Sequence, residues 1–434
     1  MGSIFVTPNP LEFGNSNISP ICHKNQEGRK IFADYRYSTL KVDLYGITIY
    51  YNNDIMQWWK FTKMILLVFG GLLVIGLIVF IISTDNLSQF GANPSGDRLE
   101  RINNSPNYDG EKFVNPNKYV EDFTFMESIK MGYQFLFYSE AREPSFKLPV
   151  IPIDSAALAD NPENELRVTW MGHSTAFIEI DGKRILTDPI WSERNSPSSL
   201  WGPKRFHPVP LPLEKLPPLD AVIISHDHYD HLDKPTIESL SKTGVHFYVP
   251  LGVGAHLEKW GVALFQIHEL DWWDEFDLPE SSVRFLAVPG MHFSGRRIPN
   301  KNPTLWASWI IMGKEQRVFF SGDTGEFTGI SDIGQKYGPF DITLISIGAY
   351  GKKWPAIHRT PEQAVATHLA LKGKIMIPIH WGTFNLAFHE WFDPPDRLKK
   401  AAEAAQIDIV IPKPGQTITE SSIPVVETWW REYK

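Results

Sequence analysis

The sequence contains a single cysteine, Cys22, among its 434 residues. One thiol cannot form an intramolecular disulfide or build a zinc site from several cysteine sulfurs, so both kinds of stabilisation are excluded. Basic residues are not in excess either, because the formal net charge is −8. A nucleic-acid-binding surface normally needs a basic patch or stripe, so the composition argues against a nucleic-acid partner. No internal repeat or low-complexity tract is present.

What the sequence does contain is enough apolar material for a large core, since 43% of its residues are hydrophobic. One apolar run, Met64 to Ile82, carries no charged side chain. A helix of this length, at about 1.5 Å per residue, nearly spans a ~30 Å hydrocarbon core. Trp58 and Trp59 precede it, where an interfacial aromatic belt would lie. We predict that this run is a membrane-spanning helix, and a buried core helix is the alternative. A signal peptide is disfavoured because residues 1–63 precede the run.

The basic residues around this run predict its orientation. Lys60 and Lys63 lie on its N-terminal side, whereas the first basic residue after it is Arg98. The positive-inside tendency favours a single-pass membrane protein with a cytoplasmic N-terminus and the part of the chain after the helix on the opposite side.

Composition and periodicity divide the chain into four parts. The third is rich in Asn, Ser, Pro and Gly and includes an apolar periodicity from Val120 to Tyr138 that indicates an amphipathic helix. We predict an N-terminal tail at 1–63, a transmembrane helix at 64–82, a linker with an amphipathic helical segment at 83–165, and a catalytic domain at 166–434.

The last part begins with short apolar strands and continues with alternating strands and helices. This order predicts an α/β fold of two packed sheets with helices outside, an αββα sandwich. The predicted helices are Lys234–Ser241, Pro361–Leu371 and Pro395–Ala405. The predicted strands are Arg167–Met171, Ala176–Ile180, Arg184–Thr187, Ala221–Ile224, His246–Val249, Val283–Val288, Leu305–Met312, Arg317–Ser321, Ile342–Ile347, Lys374–Ile379 and Ile407–Ile411.

The stretch Ser225–Asp233 concentrates imidazoles and carboxylates directly after an apolar strand. These groups suit zinc and its borderline neighbours as ligands. In an extended loop, residues two apart face the same way, so His226 and His228 can bind one ion. Asp230 and His231 follow and can serve a second ion. The alternative is a solvated polar loop.

Further polar side chains come directly after other apolar strands, namely His292, Asp323 and His380. Taken alone, each would usually be a hydrogen-bonded loop residue. Together with the loop upstream, they supply the additional ligands that two metal ions would need.

The order His-x-His-x-Asp-His, followed by His, Asp and His, resembles the metallo-β-lactamase superfamily of binuclear zinc hydrolases. Within it, the chain is similar to the N-acyl-phosphatidylethanolamine-hydrolysing phospholipases D, over about residues 166 to 420. The runs that carry this similarity are Val168–His173, Leu186–Ile190, Gly202–Phe206, Leu216–Val222, Glu269–Trp273, Ile347–Tyr350 and Ile379–Phe384.

The resemblance implies a metallo-β-lactamase-type sandwich with two zinc ions (Zn2+) per chain. It implies one zinc on His226, His228 and His292, the other on Asp230, His231 and His380, and Asp323 bridging both. Coordination to zinc lowers the pKa of water to about 7, so a zinc-bound hydroxide would attack the phosphodiester. The substrate would be a membrane phospholipid in the lipid bilayer, and the products N-acylethanolamine and phosphatidic acid.

The resemblance also implies roles for residues around the ions. Besides Asp323, we predict catalytic contributions from Asp188, which would hold a ligand histidine by a hydrogen bond, and from His358, which would act on substrate or in proton transfer. A surface-loop histidine is the alternative for His358, and His173 is predicted to be structural or to support a ligand. The alternative functions are a sister hydrolase of the same fold, such as a lactonase or a phosphodiesterase of a soluble substrate, and a non-catalytic membrane protein.

Overall fold

The computed structural model describes residues 85–117, 141–156, 165–297, 302–420 and 427–434, with helix and strand segments between 21 and 83 and isolated positions between 118 and 158. The chain forms two units, Met1–Ile81 and Ile82–Lys434. Each is described by itself.

The first unit contains two short antiparallel hairpins and nearly all of a long helix. β1 (Ile21–Lys24) pairs with β2 (Lys30–Ala33), and β3 (Thr39–Leu44) pairs with β4 (Ile47–Asn52). The prolines and asparagines that predict a loop lie between Pro8 and Pro20, outside the described residues. Five of the six residues of β4 are β-branched or aromatic, a composition that favours strands.

Helix α1 runs over Asn53–Ser83, so it begins well before the predicted start at Met64. Nothing between Asn53 and Met64 breaks a helix, because that stretch lacks Pro and Gly. The segment Gln57–Val79, with a mean hydropathy of 2.4, is long and apolar enough to cross a membrane, and 0% of its most apolar window is buried. The alternative prediction, a buried core helix, therefore does not fit the exposed side chains described for this segment. The membrane crossing stays a prediction.

The second unit is built on two seven-stranded sheets. The strands are β5 (Arg167–Gly172), β6 (Thr175–Ile180), β7 (Lys183–Thr187), β8 (Ala221–Ile223), β9 (His246–Pro250), β10 (Ile267–Leu270), β11 (Glu275–Asp277), β12 (Arg284–Val288), β13 (Ser308–Met312), β14 (Arg317–Phe320), β15 (Phe340–Ser346), β16 (Gly373–Ile379), β17 (Asp408–Ile409) and β18 (Thr417–Thr419). The strand order is β10-β9-β8-β7-β6-β5-β18 in one sheet and β11-β12-β13-β14-β15-β16-β17 in the other.

Helices cover the outer faces of the sheets, and one large apolar core unites inward side chains of both sheets. A second core lies where α3 and α4 pack on the first sheet. The helices are α2 (Asp97–Asn103), α3 (Lys234–Leu240), α4 (Gly254–Lys259), α5 (Ile330–Lys336), α6 (Pro361–Ala370) and α7 (Asp393–Ala405). Short 3-10 helices lie at Asp85–Phe90, Leu213–Lys215, Ser241–Thr243, Leu264–Gln266 and Trp429–Tyr433. The predicted sandwich of two sheets is present.

The described residues between 85 and 117 do not form the extended linker that their composition suggests. The side chains of Ile102 and Phe113 are fully buried in the main core. This region therefore belongs to the folded unit. The predicted amphipathic helix from Val120 to Tyr138 lies almost entirely outside the described residues.

The topology brings several loops to one edge of the sandwich. β7, β8 and β9 are parallel to one another, as are β14, β15 and β16. β12 has the same direction as β14, because both are antiparallel to β13. Side chains that directly follow β7, β8, β12, β14 and β16 are thus carried toward the same edge, which is where ligands bind in sheets of this kind.

Candidate metal centre

The side chains that follow these strands converge on one buried cluster. His226, His228 and His292 each offer a ligand atom within 4.8 Å of the others. The same limit encloses a second group, His173, Asp230, His231 and His380. Asp323 lies within that distance of His226 and His231, and also of His292 and His358. The structure therefore brings every predicted metal ligand into this cluster.

In the first group, three imidazoles point their nitrogens at one another. His226 Nε2 lies 2.9 Å from His228 Nδ1, and His292 Nε2 lies 3.3 Å from the same atom. Burial holds the pKa of His226 and His292 well below its usual value, and neighbouring imidazoles add to this effect. These rings are neutral and can offer lone pairs to a cation.

In the second group, histidines face carboxylates. Asp230 Oδ2 lies 2.9 Å from His173 Nε2 and 3.2 Å from His380 Nε2, while Asp323 Oδ2 lies 2.9 Å from His380 Nε2 and 3.2 Å from His231 Nε2. Burial opposes protonation, but the nearby carboxylates raise the pKa of His380 to about 9 and that of His231 well above its usual value. Positive charge beside these two buried carboxylates, from a protonated imidazole or from a bound cation, would offset their negative charge.

Asp188, which follows β7, supports this group from behind. Its carboxylate accepts hydrogen bonds of 2.6 Å from the backbone N–H of Ser225, the hydroxyl of Ser225 and Nδ1 of His231. The ring of His231 therefore turns Nδ1 toward Asp188 and Nε2 toward the cluster. Such an outer carboxylate fixes the orientation and tautomer of a ligand histidine.

The backbone around the cluster is also unusual. His173, Asp188 and His380 all have positive φ angles, of 53°, 34° and 60°. The left-handed region is sparsely populated by residues other than glycine, and such conformations concentrate at functional sites. Gly322, just before Asp323, is required for a different reason, because a Cβ there would lie 2.4 Å from Cβ of Ser225.

His358 lies at the border between the cluster and a cavity. Its Nδ1 is 3.9 Å from Asp323 Oδ2, and burial lowers its pKa to about 4. The cavity beside it has a volume of ≈610 Å³. Its lining combines cations with aromatic rings, namely Lys352, Lys353, Arg397, Tyr350, Trp354 and Phe388. His358 is therefore not a surface-loop histidine.

Comparison with known proteins agrees with this geometry. Residues 183–381 match the beta-lactamase superfamily domain. An uncharacterized protein of Mycobacterium tuberculosis is 44% identical over 333 residues, 75% of this chain and 88% of that protein. N-acyl-phosphatidylethanolamine-hydrolyzing phospholipase D 1 of Caenorhabditis elegans is 35% identical over 269 residues, 59% of this chain and 75% of that protein. The chain belongs to the metallo-β-lactamase superfamily.

A mitochondrial N-acyl-phosphatidylethanolamine-hydrolyzing phospholipase D of Saccharomyces cerevisiae is 30% identical over 243 residues, 54% of this chain and 51% of that protein. A metal-dependent hydrolase of Methanopyrus kandleri is 26% identical over 259 residues, 58% of this chain and 99% of that protein. These relatives identify the chain as a metal-dependent hydrolase of the superfamily.

The donor set of this metallo-β-lactamase-fold chain fits bound cations. Three buried atoms of the cluster make no hydrogen bond with the described residues: Oδ1 of Asp323, Nδ1 of His358 and Nε2 of His231, which lies 3.2 Å from Asp323 Oδ2 without hydrogen-bond geometry. Buried polar atoms are normally satisfied, so an unsatisfied group of them calls for a ligand or an ion. Imidazole nitrogens and carboxylate oxygens are ligands for zinc and for related metals.

His173, predicted to be structural or to support a ligand, lies in the second group with its Nε2 2.9 Å from Asp230 Oδ2. One contributor to the cluster was not predicted from sequence. Asp227, between two ligand histidines, is buried and accepts a 2.8 Å hydrogen bond from Gly295 N while lying 3.2 Å from His256 Nε2. The alternation of an extended loop does predict that Asp227 turns away from the ions. Its histidine partner has no sequence signal.

Proposed function

We propose that the chain is a membrane-anchored phosphodiesterase of phospholipase D type that binds two zinc ions. Its substrate would be N-acyl-phosphatidylethanolamine, and its products N-acylethanolamine and phosphatidic acid. The observation that carries the proposal is the cluster of unsatisfied imidazole and carboxylate atoms beside a cavity lined by cations and aromatic rings. The nematode and yeast phospholipases D among the relatives favour this substrate class.

The described residues supply a set of ligands for each ion. One zinc would be held by His226, His228 and His292, the other by Asp230, His231 and His380, with Asp323 contributing to both. Ions bound there would lower the pKa of a coordinated water to about 7 and offset negative charge on the phosphodiester oxygens.

The cavity offers contacts for both ends of such a lipid. Lys352 and Lys353 carry the positive charge that a phosphodiester anion needs, whereas Arg397 is paired with Glu362. Trp354 and Phe388 offer apolar surface to an acyl chain. His358 lies between this cavity and Asp323, so a phosphodiester arriving from the cavity would meet its imidazole. In the reaction, water oxygen bonds to phosphorus, the bond from phosphorus to the ethanolamine oxygen breaks, and that oxygen takes up a proton.

The helix α1 would anchor this centre at its substrate. A spanning segment at Gln57–Val79 would hold the catalytic unit next to the bilayer and so raise the local lipid concentration. We propose a cytoplasmic N-terminus with the catalytic unit on the other side, from Lys60 and Lys63. Protease digestion of sealed vesicles tests this proposal. The catalytic unit should be cleaved by protease on only one side of the membrane. Cleavage by protease on either side would refute the anchor.

The decisive experiment is product analysis. The full chain in phospholipid vesicles, supplied with zinc, should release phosphatidic acid and N-acylethanolamine from N-acyl-phosphatidylethanolamine. Asp323→Asn should remove this activity, because the amide loses one acceptor oxygen and the negative charge in the cluster. A chain that binds zinc but releases neither product would favour the sister hydrolase with a soluble substrate.

A further inference from the structure

A short segment is connected through two side chains to Ser225–Asp233, the ligand loop, from which it is far in sequence. We name residues Ser88–Ala92 the strap. Trp260 Nε1 donates to the carbonyl of Ser88 at 2.8 Å, and Arg297 Nη2 donates to the carbonyl of Gly91 at 2.7 Å. The strap begins a few residues after α1 ends at Ser83. The strap is thus firmly attached to the catalytic unit.

The strap reaches the metal cluster through His256. The backbone N–H of Ala92 donates to His256 Nδ1 at 3.0 Å, so the ring carries its proton on Nε2 when it is neutral. That Nε2 lies 3.2 Å from Oδ2 of Asp227, the residue between the ligands His226 and His228. A continuous chain of hydrogen bonds therefore connects Ala92 with the centre of the ligand loop.

A buried arginine makes a second, parallel connection. Arg296 donates through Nε to the carbonyl of Gln89 at 3.0 Å. Its Nη1 donates to the carbonyls of Asp227 at 2.7 Å and Leu232 at 2.9 Å, two separate points of the ligand loop. One guanidinium thus connects the strap with both of these points.

We propose that the strap is a positioning element of the metal centre. It fixes His256 and Arg296, which together hold the carboxylate and the backbone of Asp227 and so aim His226 and His228 at one ion. Outer-shell partners of this kind tune metal affinity without touching the metal. This inference rests on the proposed metal-binding function.

Glycines in and after the strap provide a matched pair of variants. Gly91 has φ of +65°, and a Cβ there would lie 2.0 Å from His256 Nδ1. Gly96 has φ of +57°, and nothing lies within 4 Å of its Cβ position. Gly91→Ala and Gly96→Ala both place an alanine at a positive φ, but only Gly91→Ala displaces His256.

The full-length chain in detergent would be titrated with cobalt(II) against a chelator, and the visible absorption of the bound cobalt recorded. We expect Gly91→Ala to weaken cobalt binding on the order of 10-fold and to change the absorption bands, since loss of outer-shell partners typically costs about 10–100-fold in affinity. Gly96→Ala should match wild type. Equal affinities and spectra for the two variants would refute the positioning role.

A second pair keeps the test decisive if Gly91→Ala does not fold. The amide of His256→Gln can accept from Ala92 and donate to Asp227, whereas His256→Leu can do neither. We expect the cobalt affinity and absorption bands of His256→Gln to be near those of wild type, and His256→Leu to bind cobalt more weakly. Equal behaviour of the two variants would refute the positioning role of the strap. Wild type that binds no cobalt would instead overturn the metal centre, and the positioning role with it.

Discussion

His380 donates its backbone N–H to the carbonyl oxygen of His173 at 3.0 Å, and both residues have left-handed backbone conformations. His173 lies in the turn between β5 and β6 of the first sheet, whereas His380 follows β16 of the second. Their ring centroids are 4.3 Å apart. This hydrogen bond joins the two sheets inside the cluster, so ligands carried by separate sheets keep a fixed spacing.

The first prediction concerns the side chain of His173. His173→Asn tolerates the left-handed backbone but is too short to keep the 2.9 Å contact with Asp230. We expect metal affinity to fall on the order of 10-fold, because Asp230 loses the partner that orients it. Chelator competition measures this. His268→Asn, on the outer strand β10, is the control. Equal affinities in the two variants would show that His173 is only structural.

The second prediction concerns Asp188. Asp188→Asn keeps the side-chain size but leaves one acceptor oxygen for three donors, from Ser225 and His231. We expect metal affinity to fall by about 10–100-fold, since His231 is no longer held in one orientation. The control is Asp220→Asn, because Asp220 also accepts a backbone N–H, that of Arg184 at 2.9 Å, but lies away from the cluster. Unchanged metal affinity in Asp188→Asn would contradict this role.

The contrast between Asp188 and His256 shows what sequence can and cannot predict. Asp188 was predictable because it follows an apolar strand and matches a known motif. The role of His256 cannot be predicted in the same way, because it lies on a short helix and its partners Ala92 and Asp227 are distant in sequence. The ends of strands can be predicted from the sequence, so the ligand residues that directly follow them can be predicted too. Contacts between a loop and a helix depend on tertiary packing, which the sequence pattern does not reveal.

The secondary structure also divides into elements that the sequence predicts and elements that it does not. β6, in which Ala176–Ile178 is a continuous apolar run, was predicted almost to its ends, whereas the short edge strands β10 and β11 were not. A strand of three or four residues carries too little periodicity to be recognised, and it forms because a longer neighbour offers backbone hydrogen bonds. Helix α6 was predicted from Pro361, and the structure adds a capping box between Thr360 and Gln363.

The third prediction concerns the cavity beside His358. Lys353→Gln removes a positive charge from the cavity lining without touching the cluster. We expect KM for an anionic phospholipid to rise several-fold while metal content stays at the wild-type level, because only attraction to the phosphate is weakened. Lys242→Gln, on the 3-10 helix after α3, controls for the loss of one positive charge. A change in kcat with no change in KM would contradict a binding role.

The fourth prediction uses His368, on α6 and away from the cluster. Its ring is buried, its Nδ1 lies 2.8 Å from the hydroxyl of Thr343, and burial lowers its pKa to about 4. In the unfolded chain the pKa is about 6.5. As pH falls below 6.5, the unfolded state binds a proton that the folded state does not, so the free energy of unfolding decreases until pH reaches about 4.

Between pH 7 and pH 5 this single group should cost about 2 kcal/mol of folding stability. His368→Gln cannot take up that proton, so its stability should fall less than that of wild type over the same interval. Denaturant unfolding followed by tryptophan fluorescence at both pH values measures the difference. Other histidines titrate equally in both proteins and cancel in the comparison. Parallel losses in wild type and variant would mean that His368 is already protonated in the folded state or exposed to solvent.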